Sequence, residues 1–161
     1  MLPDGEAWRW LERTELASAM REGVWLYPAV ETVHILGLAA LFGAILILDL
    51  RILGVSRLLP LDALARHALR PVYVAFPALV ATGSLMFASD ASALVVNPAF
   101  RAKMVLVPLA VLNALAFELG WFRRLRAAPA TPVPALAKVF AGASLGLWSG
   151  VIVCGRLIAY M

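Results

Sequence analysis

A histidine, two methionines and a cysteine set in long apolar stretches are the side chains of this 161-residue chain best suited to chemistry. His34 lies about five residues into the first stretch, with Glu31 and Gly37 at three-residue spacing on the same helix side. Met86 comes near the end of the second stretch, Met104 opens the third, and Cys154 lies close to the end of the fourth. If the stretches alternate direction through a membrane, all four side chains fall in one layer near one face. Imidazole, thioether and thiol are soft donors that favour Cu(I). The pattern therefore predicts a copper site anchored by His34, with Met86, Met104 and Cys154 as partners. The same residues have plainer uses. Methionine is ordinary core filler, a buried cysteine behaves as a small apolar side chain, and a neutral histidine can simply tie two helices together.

Haem b is the second chemistry these donors allow, with His34 as one axial ligand and Met86 or Met104 as the other. A bis-histidine haem within one chain is not expected. The second histidine, His67, falls in the first connection among Arg66 and Arg70, at the opposite end from His34. There it reads as a solvated residue or a headgroup contact.

The elements that must position these donors are four apolar spans, at about 29–50, 72–88, 104–122 and 139–158. A helix rises about 1.5 Å per residue, so about 20 apolar residues cross a hydrocarbon layer of roughly 30 Å. With 63% hydrophobic and 15% charged residues, the chain has too few polar groups to cover a water-soluble domain. The expected fold is all-α: a single integral membrane domain over 1–161, a four-helix bundle with an N-terminal interfacial helix over 5–23. That segment interleaves Trp8, Leu11, Leu16 and Met20 with acidic and basic residues. Trp8, Trp10, Trp25 and Tyr27 fit an interfacial aromatic belt. The N-terminus lacks a signal-peptide pattern, so the first span is expected to be retained.

Topology follows from basic residues in the connections. Arg51, Arg57, Arg66 and Arg70 flank the first connection and Arg123, Arg124, Arg126 and Lys138 the third. Only Arg101 and Lys103 flank the second. This bias places the first and third connections in the cytoplasm and both termini on the periplasmic side. The net charge of +4 is thus a topology signal, not a nucleic-acid signature. Residues 127–135, with three prolines, read as a stiff connector.

Polar residues within the spans each need a partner. Asn113 is expected to tie helices together through Thr82 or Ser149. Glu118 should pair with Arg70 or Lys138, Glu31 with Arg156, and Asp49 and Arg51 should close the first span at the interface. Gly142, Gly146 and Gly150 repeat at four-residue spacing, which lets another helix approach closely. Intramolecular packing is one use of that stripe; a homo-oligomer, a membrane-complex seam or a groove for a flat cofactor are the others. Glycine-rich phosphate loops, metalloprotease histidine pairs and Ser–His–Asp sets are missing, which argues for a non-enzymatic protein.

The run YPAVETVHILGLAALFGAILILDLRILG (27–54) resembles the opening of a family of small bacterial inner-membrane proteins of unknown function. LPLDALARHALRP, TGSLMFASDA, NPAFRAKM and LNALAFE resemble its later blocks. The resemblance implies a four-helix fold in the bacterial inner membrane, with His34 as the most suggestive residue. It extends loosely to the copper-resistance D membrane proteins, which are linked to copper uptake. The family's third span often reads Asn-Ala-Leu-x-Phe-His. Glu118 stands in that histidine's place, which removes one ligand from any haem site carried over from relatives.

Overall fold

The computed structural model describes residues 6–55, 58–122 and 133–161, and among them the secondary structure is helical throughout, with no strand. Two short helices, α1 (Glu6–Glu12) and α2 (Glu15–Glu22), precede α3 (Leu26–Leu53) and α4 (Leu61–Ser89). A single-turn-and-a-half helix, α5 (Ala91–Val96), leads into α6 (Pro98–Phe117), which ends in a π turn over Glu118–Phe122. The last helix, α7 (Ala135–Leu157), closes with a 3-10 turn at Ile158–Tyr160. Four of these helices are long and apolar enough to cross a membrane. Their outward surfaces carry large apolar side chains such as Ile35, Leu36, Val74, Leu112 and Val153. In lipid such a surface needs no further covering. This is a multi-pass membrane protein.

The predicted spans hold, but their bounds extend. At 28 and 29 residues, α3 and α4 are each about 42 Å long, longer than the hydrocarbon layer. His67 consequently lies on α4 rather than in a loop, although it remains exposed. Pro71 and Pro77 are both inside α4. The N-terminal segment is two helices, not one, because Thr14 stops α1 and caps α2. Its hydroxyl donates to Leu11 O at 2.7 Å and accepts from Ala17 N at 3.3 Å. Most of the connector predicted over 127–135, together with Arg57, Arg123, Arg124 and Arg126, lies outside the described residues.

Helix ends are set by local chemistry. Gly54 ends α3 at φ 110°, where its amide and that of Val55 return to the carbonyls of Leu50 and Arg51. Only glycine takes that left-handed conformation without strain. Asn97 starts α6: its Oδ1 accepts from the amides of Ala99 and Phe100, and Pro98 occupies the first helical position. The Nδ2 of Asn97 also donates to Ile158 O at 3.2 Å, stitching the beginning of α6 to the end of α7.

Packing joins the helices in the order α4–α3–α7–α6. The contacts are built on small residues: Ala44, Ala65, Ala68, Ala75, Ala110, Ala137 and Ala141 are all buried. A Cβ added at Gly37 of α3 would lie 3.3 Å from Leu79 on α4, which marks how closely those helices approach. This is how helices associate where lipid removes the hydrophobic drive. The fourth seam, between α4 and α6, has no comparable contact. Only 6% of the apolar window of α6 is buried, against 22–28% for the other three spans, so α6 is the outlying helix.

The α1–α2 pair covers the end of the bundle where α3 begins and α7 finishes, here called the cap end. Glu12 accepts from both the amide and the hydroxyl of Ser92, each at 2.7 Å. Arg21 donates to Ser89 O at 3.0 Å and to Glu12 O at 2.6 Å. The Ser92 hydroxyl and amide, followed by the nearby Arg21 and Arg9, hold the Glu12 carboxyl below the usual carboxylate range. A depressed folded pKa contributes stability above the unfolded value and loses it as pH falls through the folded one. Acidification should therefore release α1 and α2 before the bundle melts, seen as faster amide hydrogen exchange in residues 6–22. Glu12→Gln should show that faster exchange already at neutral pH; unchanged exchange in both experiments would refute the clamp.

A candidate ligand cavity beside His34

The open α4–α6 seam leads to two cavities stacked along the bundle, one of about 530 Å³ at the cap end and one of about 390 Å³ at the far end. Phe76 and Trp148 line both and form the partition between them. Exposed residues at the mouths, Val80 and Met104 for the first and Tyr73 and Leu115 for the second, show that both open sideways onto the lipid-facing surface. Both volumes fall within the roughly 300–1,000 Å³ of small-molecule sites.

His34 belongs to the cap-end cavity, and α4 determines how it sits there. Its Nδ1 lies 2.8 Å from Thr82 Oγ1. The Thr82 hydroxyl has one hydrogen and gives it to Ala78 O, 2.7 Å away, in the usual back-bond of a helical threonine. In the other tautomer the hydroxyl turns to Nδ1; with Ala78 O as its acceptor, Oγ1 accepts from the imidazole and Nδ1 carries the proton. That assigns the free lone pair to Nε2. Gly83 makes room for the ring, since a Cβ there would come within 3.3 Å of His34 Cε1.

Around the imidazole stand Lys103 and Met104 from α6, with Trp8, Phe87 and Phe100 toward the cap. Phe87 stacks on Phe100 with centroids 5.4 Å apart, and Trp8 meets Phe87 edge-on at 5.6 Å. Trp8 thus brings α1 into the cavity wall. Lys103 makes no ion pair with a described carboxylate; its Nζ lies over Gly155, 3.5 Å from where a Cβ would stand. No aspartate or glutamate lines this cavity among the described residues.

Of the four predicted soft donors, the structure brings His34 and Met104 to the same cavity. Met86 and Cys154 are half-buried but do not line it. No cluster of three or more His, Cys, Asp or Glu side chains fit to hold a metal occurs among the described residues.

The predicted polar pairings change more. Asn113 donates to Phe140 O at 3.1 Å instead of meeting Thr82 or Ser149, because Thr82 is taken by His34. Glu31 and Arg156 do not pair; Arg156 turns to the Tyr160 hydroxyl and ring. Glu118 reaches neither Arg70 nor Lys138 and instead lines the far-end cavity. Asp49, expected at the interface with Arg51, is buried beside Ser144, while Arg51 Nε donates to Leu59 O at 2.7 Å. The glycine stripe splits: a Cβ at Gly150 would meet Leu106 at 3.1 Å, but Gly142 and Gly146 face open space. Intramolecular packing accounts for only that one of the three glycines.

Lys103, Trp8 and Trp148 are among the lining residues that sequence patterning did not assign to a site. Lys103 was accessible to reasoning, since it sits more than a turn inside a helix that starts at Pro98. Placing that start required recognising Asn97 as a cap.

The His34–Thr82 bond gives a test of this geometry. Thr82→Val removes the acceptor and should destabilise the protein by about 0.6–1.7 kcal/mol, as membrane hydrogen bonds do. Thr82→Ser should retain most of that stability; denaturant unfolding in mixed micelles measures both.

No curated protein and no solved structure matches the chain. The model of a family of unknown function, DUF6644, matches residues 7–161, and the chain belongs to that family.

Proposed function

We propose that this chain is a non-enzymatic membrane protein that holds haem b in the cap-end cavity, as an electron-transfer subunit. The observation that carries this reading is the Nε2 lone pair of His34, left free by the Nδ1–Thr82 bond, in one cavity with Met104 and Lys103. His34 and Met104 would hold the group, and a thioether among its ligands would raise its reduction potential. Lys103, without a carboxylate partner among the described residues, would supply the positive charge that a propionate needs. Thr82 fixes the imidazole tautomer and orientation, the second-shell role that tunes a histidine ligand. The aromatic side chains from α1, α4 and α6 supply flat apolar walls and exclude water. Bound there, the group would supply one-electron chemistry.

Copper draws on the same His34–Met104 pair alone, since Met86 and Cys154 do not line the cavity. Lys103 weighs against it, because an ammonium beside the imidazole opposes a cation. A bilayer location accords with either metal. Expression with haem available should give a reduced-minus-oxidised spectrum with a b-type α band. His34→Ala should abolish the band. Met104→Leu should keep the haem but lower its potential or turn it high-spin. Haem-free protein carrying near-stoichiometric copper by elemental analysis would replace haem with copper, and protein with neither would reject both.

A further inference from the structure

The far-end cavity has the opposite electrostatic character from its neighbour, and we propose that it binds lipophilic cations that reach it laterally from the bilayer. Two carboxyls line it, Asp49 from α3 and Glu118 from the π turn after α6, and no lysine, arginine or histidine does so among the described residues. Asp49 is 8% exposed. Ser144 supports its carboxyl, but Oδ2 is buried without a hydrogen-bond partner among the described residues. The nearest base along α3, Arg51, is committed to the carbonyl of Leu59. A carboxyl held at membrane depth is expensive and ordinarily marks a site. No described lining residue supplies a counter-charge, which a cationic ligand would bring.

The walls narrow the class. Phe76, Phe140 and Trp148 present aromatic surface, which attracts a desolvated cation. An anionic lipid headgroup or a fatty acid would meet two carboxyls and no base among the described residues. The mouth at Tyr73 and Leu115, 72% and 51% exposed, lies on the outer surface of two membrane-spanning helices, which favours a ligand soluble in lipid. A delocalised cation on an apolar or aromatic body satisfies charge, walls and route together. This inference does not depend on what the cap-end cavity holds.

The test is calorimetric titration of the full chain in detergent with tetraphenylphosphonium, and separately with tetraphenylborate, an anion of the same shape. Wild-type protein should bind the phosphonium saturably. Asp49→Asn should weaken that binding at least about tenfold, as loss of one partner of a buried charge pair does, and should leave any borate binding unchanged. His34→Ala should leave phosphonium binding unchanged, separating this site from the cap-end cavity. If Asp49→Asn does not elute as folded protein, Glu118→Gln stands in for it and should weaken binding severalfold. Absence of saturable phosphonium binding, equal binding by the folded variants, or equal loss of both probes would overturn the proposal.

Discussion

The close approach of α3 to α4 is the constraint from which the rest of the molecule follows. In lipid there is no hydrophobic gain in bringing helices together, so association depends on backbones meeting over small side chains. Gly37, Ala44, Ala65, Ala68 and Ala75 allow that approach. Once α4 is drawn against α3, His34 finds Gly83 to pack on and Thr82 to bond to. The same commitment leaves α4 turned away from α6. The unfilled seam and both cavities are therefore products of one preference in packing.

Charge is segregated along that seam. The cap-end cavity carries Lys103 and His34 with no described carboxylate, and the far-end cavity carries Asp49 and Glu118 with no described base. Direct pairing between Lys103 and Asp49 would cancel both groups, but Phe76 and Trp148 stand between the two voids. An isolated ionisable group inside a membrane protein carries an energetic penalty that packing elsewhere must offset. Here that penalty is borne at both ends of one cleft.

Much of the fold was legible because membrane helices announce themselves by length and apolar content, and the four spans are found where hydropathy puts them. Helix ends were less so. The start of α4 at Leu61 lies eleven residues before the apolar run at Val72, since a helix continues beyond the bilayer wherever its polar face can be solvated. His34 was legible as the residue to watch, because a histidine at that depth is costly. Its neighbours were not. Helix rotation decides whether Met86 or Met104 joins it, and rotation leaves no mark in a span with apolar residues all round; α3 and α6 have no apolar stripe to read. Asn113 illustrates the same limit: its depth matched Thr82, but its azimuth pointed to a backbone carbonyl on α7.

Asn97 holds the first turn of α6 while its side-chain amide donates to the carbonyl of Ile158, just past α7. That stitch makes α6 and α7 one leaf, just as the small-residue contact makes α3 and α4 another. The leaves are joined where α3 meets α7 and, at the cap end, where Phe87 stacks on Phe100, like the boards of a book. Where protein contact is missing along the α4–α6 seam, acyl chains complete the wall of the cleft. What the molecule can admit is in this sense a property shared between the protein and the membrane around it.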